Sequence, residues 1–322
     1  MNKLIVILGP TASGKTDSSV KLAKKYNGEV VSADSRQVYR GLDIGSGKIT
    51  KKEMHGIPHY LLDVANPKTR FSVSQYQKLA LSAIKKIQKK GKIPFLVGGT
   101  GFYIQSIVDG IIIPEVKPDW NLRKKLEKKS NGELFSMLEK LDPERAKLID
   151  RQNPRRLIRA LEIVLTTGKP VTPLKQTRRH CEEQSDEAIL PLDCHASRSD
   201  ARNDKCSILK IGIEKSPTEL KKLINKRLLK RLKNNALINE VKKLHKSGVS
   251  FKRLEELGLE YRFVAQYLQN KISHQEMRDK IQMESEHFVK RQMTWFKRDK
   301  KIIWISNITE ALSIAENFIA KQ

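Results

Sequence analysis

Eight consecutive residues, Gly9, Pro10, Thr11, Ala12, Ser13, Gly14, Lys15 and Thr16, match the phosphate-binding pattern G-x-x-x-x-G-K-[ST]. In such a loop the glycines let backbone N–H groups turn inward around phosphate oxygens, and the following helix adds its partial positive charge. Lys15 brings a full charge, and the hydroxyl of Thr16 is of the type that ligates Mg²⁺. A second group is Asp34-Ser35-Arg36-Gln37-Val38-Tyr39, where a carboxylate follows a short apolar run. At the carboxyl edge of a parallel sheet it would bind Mg²⁺, accept a proton, or cap a turn. A third is Gly98-Gly99-Thr100, where glycines permit close approach of a ligand and Thr100 would border the same pocket. Together these residues hold a phosphate ester beside a carboxylate. They leave the ester open, and a small-molecule or nucleoside kinase or an RNA-binding ATPase are alternative readings.

The flanking sequence predicts the elements that position these groups. Residues 3–8 (KLIVIL) are a continuous apolar run of strand length running straight into the glycine loop, and a helix follows to about Tyr26. Residues 29–33 (EVVSA) predict a second strand ending at Asp34, which makes a βαβ unit. Residues 59–64 (HYLLDV) predict a third strand. A helix is expected from Ser72 to Lys90, capped by Ser72 and stopped by Gly91, and residues 93–97 (IPFLV) predict another buried strand. From about 115 to 176 strands give way to two or three helices. Residues 208–213 resume a strand, and the remainder is helical and basic apart from a last strand at 302–305. The fold class expected is therefore α/β, a P-loop parallel sheet flanked by helices. Residues 1–114 and 207–322 would form the core, and 115–177 an all-helical insertion.

Lys and Arg number 63 against 36 Asp and Glu, a formal net charge of +27. That excess predicts a polyanionic partner, nucleic acid before membrane. No stretch approaches the roughly 20 apolar residues of a membrane span. The N-terminal apolar run reads as a first strand and not as a signal peptide, so a cytoplasmic protein is expected. Segment 178–206 departs from the rest. It is polar, carries a net −2 that leaves +29 elsewhere, and holds all three cysteines, Cys181, Cys194 and Cys206. With His180 and His195 these suggest zinc, but no pair has zinc-site spacing, and the segment reads as a flexible surface insertion.

A series of blocks occurs in the order GPTASGKT (9–16), ADSRQVYRGLDIGSGK (33–48), GIPHYLLD (56–63), IPFLVGGTGFYI (93–104), NPRRLIRALEI (153–163), TGKP (167–170), INKR (224–227), GLEYR (258–262) and KRQMTWF (290–296). In these the chain resembles the bacterial tRNA dimethylallyltransferases, over nearly its whole length outside 178–206. The resemblance implies transfer of a dimethylallyl group from dimethylallyl diphosphate to N6 of adenosine 37 in the anticodon stem-loop of tRNAs reading codons that begin with U, with Mg²⁺ as cofactor. It implies that the loop from Gly9 to Thr16 holds the diphosphate, with Arg227 reaching the same group and Thr16 on the metal. It gives Asp34 the catalytic carboxylate and Thr100 a contact to tRNA near the reacting base. Further tRNA contacts are implied at Ser35, Arg36, Gln37, Arg123, Arg155, Arg156, Leu157, Ile158, Arg159, Leu257, Gly258, Leu259, Glu260, Tyr261 and Arg262. Lys290, Arg291, Trp295 and Phe296 have the basic and aromatic character of an RNA surface. A departure falls at 233–241, where Ala236 stands in place of the Gly usual in the family and the spacing from Arg227 is one residue longer than the resemblance implies. A monomer is the expected state.

Overall fold

The computed structural model describes residues 3–111, 113–114, 116–171 and 206–321. In chain order the elements are β1 (Lys3–Leu8), α1 (Lys15–Lys25), β2 (Gly28–Ser32), β3 (His59–Tyr60), α2 (Val73–Lys89), β4 (Ile93–Gly98) and α3 (Gly101–Val108). Then come α4 (Trp120–Leu126), α5 (Asn131–Leu141), α6 (Pro143–Leu148) and α7 (Pro154–Thr167). After β5 (Ser207–Ile213) follow α8 (Pro217–Leu232), α9 (Ala236–Lys246), α10 (Phe251–Leu257), α11 (Leu259–Leu268), α12 (His274–Phe296), β6 (Ile303–Ile305) and α13 (Ile308–Ala320). The chain divides into two compact units, Met1–Val108 with Ala196–Gln322, and Asp109–His195.

In the first unit the six strands pair in the order β3-β2-β4-β1-β5-β6, every pair parallel. The apolar runs behave as strands buried on both faces should. Leu4, Val6 and Leu8 of β1 point into one core with α2, α3 and α9 to α12, while Ile5 and Ile7 point into another with α1 and α13. Register aligns the strand ends that matter: Leu8 pairs with Gly98 on one side and Gly212 on the other, and Ser32 pairs with Val97. The residues just beyond, from Gly9, Ala33 and Gly99 onward, therefore emerge along one carboxyl edge.

Two expectations change. The strand expected at 59–64 stops at Tyr60, because Leu61 (φ 65°) and Asp63 (φ 57°) turn left-handed. This turn brings Asp63 to Lys48, whose ammonium lies 2.5 Å from it and 2.6 Å from Asp43. Cys206, assigned to the polar insertion, is instead buried in the core beside the start of β5. The rest of that segment, with Cys181, Cys194, His180 and His195, lies outside the described residues. Where α8 meets α9 the backbone turns left-handed at Asn234 (φ 55°) and Asn235 (φ 56°), a conformation Asn tolerates well.

The second unit has four described helices around its own core of Leu126, Leu134, Leu138, Leu157, Leu161 and neighbours. Its polar centre is Glu162, fully buried. The carboxylate accepts a bidentate pair from Arg123 (2.8 and 2.7 Å), Nη1 of Arg159 (2.5 Å) and the Asp119 amide (2.7 Å). Burial pushes the Glu162 carboxyl up, but hydrogen bonds from Arg123, Arg159 and Asp119 more than reverse this and hold it below the usual carboxylate value. Glu162→Ala is expected to destabilise this unit by about 3 kcal/mol, the low end for a broken buried pair because both arginines are partly in solvent. Chemical denaturation checks this, and an unchanged midpoint would show the cluster to be energetically idle.

Candidate active site

The phosphate loop leaves β1 at Gly9, whose φ of +148° and position against the Ile213 carbonyl (2.7 Å from where a Cβ would stand) exclude a side chain. Gly14 is the N-cap of α1 and brings no side-chain cap, so the first-turn N–H groups keep their donors for an anion. Thr16 is exposed in that first turn. Lys15 curls back over the loop, its ammonium donating to the Pro10 carbonyl at 2.5 Å. Burial, and then the positive charge of Arg227, push its pKa down to about 7, against an opposing pull from Asp34.

Asp34 extends from the end of β2. Its Oδ1 accepts from the amides of Arg36 (2.8 Å) and Gln37 (3.3 Å), which fixes the turn. Thr100 is tied to the same turn: its amide donates to the Ala33 carbonyl (3.1 Å), and its Oγ1 accepts from the Ser35 amide (3.0 Å). Two strand ends are thus laced together with the carboxylate on top. From α8, Arg227 reaches across, donating through Nη1 to Thr11 Oγ1 (3.0 Å) and through Nη2 to the Ser46 carbonyl (3.2 Å). Burial and then Arg231 lower its pKa to about 10, against Glu260 and Asp34. Thr11, Ala12, Asp34, Thr100 and Arg227 line one pocket, whose apolar wall is built from Ile224, Leu228, Leu259, Ile281 and Phe288.

The other predicted contacts divide by helix face. Ser35, Arg36, Gly258, Leu259 and Glu260 also line this pocket. Gln37 is held by the Gly47 carbonyl (3.2 Å), and Arg262 by the Glu255 carbonyl (3.2 Å). The side chains of Leu257 and Tyr261 are in the core. Tyr261 also borders the pocket, and its hydroxyl is committed, donating to Glu240 (2.9 Å) and accepting from the Ser46 amide (3.1 Å). Glu240 also takes the amides of Asp43, Ile44 and Gly45, so this pair pins the 43–46 loop under the pocket. In the helical unit Arg155 and Arg156 are exposed, whereas Leu157 and Ile158 are core residues and offer no side chain to a partner. Arg123 and Arg159 are committed to Glu162. On α12 Lys290 and Arg291 are exposed and Trp295 is half-buried, but Phe296 packs in the core and is not a surface aromatic.

One residue of the site carried no separate signal. Gln292 is buried on the inner face of α12; its Oε1 accepts from the Thr11 amide (2.9 Å) and its Nε2 donates to the Gly99 carbonyl (2.8 Å). It joins the phosphate loop to the strand end that carries Thr100. Gln292→Ala is expected to cost about 1–3 kcal/mol, the price of two backbone groups left unpaired. It should also weaken binding of inorganic diphosphate, measured by calorimetry. Wild-type stability and affinity in that variant would remove the bridge from the site.

The fold and site define a P-loop protein of the parallel α/β class: the phosphate-loop pattern follows β1, a carboxylate follows β2 on the far side of β4, and Arg227 of α8 reaches into the pocket that Thr11 and Asp34 line. A family model described as IPP transferase matches residues 37–299, and the chain belongs to that family. A tRNA dimethylallyltransferase from Halothermothrix orenii is 37% identical over 307 residues, 94% of this chain and 87% of the relative. Another, from Carboxydothermus hydrogenoformans, is 38% identical over 325 residues, 99% and 97% respectively. The crystal structure of the full-length tRNA isopentenylpyrophosphate transferase from Bacillus halodurans superposes with a TM-score of 0.68 at 34% identity, covering 99% of this chain and 96% of that one. A eukaryotic dimethylallyltransferase acting on tRNA shares the fold with a TM-score of 0.76 at 24% identity, covering 100% of this chain and 80% of that one. Among the described residues no helix is long and apolar enough to cross a membrane.

Proposed function

We propose that this chain transfers a dimethylallyl group from dimethylallyl diphosphate to N6 of adenosine 37 in the anticodon stem-loop of tRNAs that read codons beginning with U. The observation that carries the reading is the shared pocket: Thr11, Arg227 and the free face of Asp34 meet there beside an apolar wall. A diphosphate and a short hydrocarbon need those two kinds of surface side by side. Membership of the family and the names of its relatives support the substrates.

The loop amides, Lys15 and Arg227 hold the diphosphate. As the allylic C1–O bond breaks, its electron pair passes to the diphosphate oxygen, and fixed donors stabilise that growing charge. The adenine amine is a weak nucleophile because its lone pair is delocalised. Asp34 holds it by a hydrogen bond, and as the N6–C1 bond forms it takes the displaced proton through the oxygen that the Arg36 and Gln37 amides leave free. The base reaches this depth by leaving the anticodon stack, at a cost of a few kcal/mol. Contacts from Ser35, Arg36, Thr100 and the exposed Arg155 and Arg156 of the helical unit offset that cost. Among the described residues no cluster of three His, Cys, Asp or Glu could cage a metal. The donor set nonetheless fits Mg²⁺ held by the Thr16 hydroxyl and the substrate's own oxygens, since a hard cation keeps several waters and few protein ligands. When bound there, Mg²⁺ would neutralise diphosphate charge.

Labelled dimethylallyl diphosphate, unmodified tRNA and Mg²⁺ test the reading. Label is expected to enter the RNA without ATP. ATP hydrolysis with no transfer of label would replace it with the kinase or ATPase alternative.

A further inference from the structure

Arg231 lies one helical turn beyond Arg227 on α8 and lines the same pocket, and no part of the mechanism above uses it. It is 8% exposed. Its Nη1 is held by Glu260, while its Nη2 is buried and has no hydrogen-bond partner among the described residues. An arginine head group desolvated on one side and unpaired on the other is a costly arrangement. It stands, moreover, beside a second cation. A Cβ on Gly47 would lie 1.9 Å from Nη2 of Arg227 and 2.3 Å from Nη2 of Arg231. Only a residue without a side chain leaves room for both, and the φ of +62° at Gly47 suits glycine for the same position. The two Nη2 atoms thus converge on one point beside Gly47. Their repulsion is visible in Arg227, whose pKa is lowered by Arg231 after burial itself.

We infer that Arg231 is a second arginine donor to the diphosphate, its Nη2 sharing the anion with Arg227 while Glu260 holds the other side of the fork in place. The inference rests on the transferase reading above. An anion between the two arginines removes their repulsion and satisfies the orphaned donor. It does so most strongly once C1–O cleavage has moved an electron pair onto the leaving group, so the pair favours the departing diphosphate over the intact ester. Glu260 is then a positioning residue, which explains a carboxylate in a pocket built for anions.

The test titrates inorganic diphosphate into full-length wild type, Arg231→Lys and Arg231→Gln by calorimetry, with tRNA affinity measured in parallel. Arg231→Lys keeps a cation for Glu260 and loses the second donor of the fork, so it carries the test even if Arg231→Gln folds poorly. Diphosphate affinity is expected to fall by about tenfold in Arg231→Lys and about a hundredfold in Arg231→Gln, the scale of charge-assisted hydrogen bonds, with tRNA affinity unchanged. A purely structural role would lower both affinities together. Wild-type diphosphate affinity in both variants overturns the inference. So does a selective loss of tRNA binding, which would give Nη2 to an RNA phosphate. A wild-type protein that binds no diphosphate and transfers no prenyl group sinks the transferase reading itself, whereas one that does both beside unaffected variants sinks only the role of Arg231.

Discussion

Replacing Asp34 by Asn is expected to reduce prenyl transfer by about 10²- to 10⁴-fold, the usual contribution of a positioned general base, while tRNA binding stays nearly unchanged. The choice of Asn over Ala follows from the geometry. One carboxylate oxygen of Asp34 accepts from the amides of Arg36 and Gln37 and so builds the turn on which Ser35 and Arg36 sit. Asp34→Ala removes turn and base together, so a loss of activity there has two explanations. Asp34→Asn keeps an oxygen for the turn and offers the adenine amine no group able to take its proton. The two variants should therefore be almost equally slow, with Asp34→Ala alone showing weaker tRNA binding. Single-turnover rates with saturating tRNA separate the cases. An active Asp34→Asn would reduce Asp34 to a turn former and leave the proton to another acceptor.

Much of this site was legible because its parts are local. The loop from Gly9 to Thr16, Asp34 after an apolar run and Thr100 after two glycines each sit at a strand end, and a parallel sheet brings strand ends to one edge whatever the rest of the chain does. The fold followed from the same continuous apolar runs. What the sequence left hidden depends on which face of a helix turns inward. Residues 155–159 form a basic and apolar block in sequence, yet on α7 Arg155 and Arg156 face out while Leu157 and Ile158 enter the core. Gln292 sits between exposed Arg291 and half-buried Met293, and its importance comes from Thr11 and Gly99, far away in sequence. Arg231 is one more basic residue in a basic helix until Gly47 and Glu260 are brought against it. The shortened third strand also depends on distant residues: Leu61 and Asp63 leave extended geometry, Leu61 entering the core and Asp63 meeting Lys48, a contact that no local pattern announces.

Lys15→Met is expected to slow transfer by about 10²- to 10³-fold, the loss seen when one fixed donor to developing charge is removed. It should also change how many protons accompany diphosphate binding. In the ligand-free protein the ammonium is held near pKa 7 by burial and by Arg227. A bound diphosphate supplies the missing counter-charge and raises that value. Between pH 7 and the raised value the complex therefore carries a proton at Lys15 that the free protein lacks, so binding takes up a proton and affinity falls as pH increases. Calorimetric titration of inorganic diphosphate near pH 8, in buffers of different ionisation enthalpy, counts those protons. Ionisation of the diphosphate itself is common to wild type and Lys15→Met, so the difference between them isolates the lysine. Folding supplies an independent sign. A cation whose folded pKa lies below its unfolded value of 10.5 costs stability in full below about pH 7, and the cost disappears as pH rises toward 10.5. Lys15→Met should consequently be more resistant to denaturant than wild type at neutral pH while being almost inactive, as befits a charge held at its own expense for a ligand. Equal proton counts in the two proteins would mean that Lys15 is already charged before the diphosphate arrives, and the loop would then bind its anion without the switch that burial builds into it.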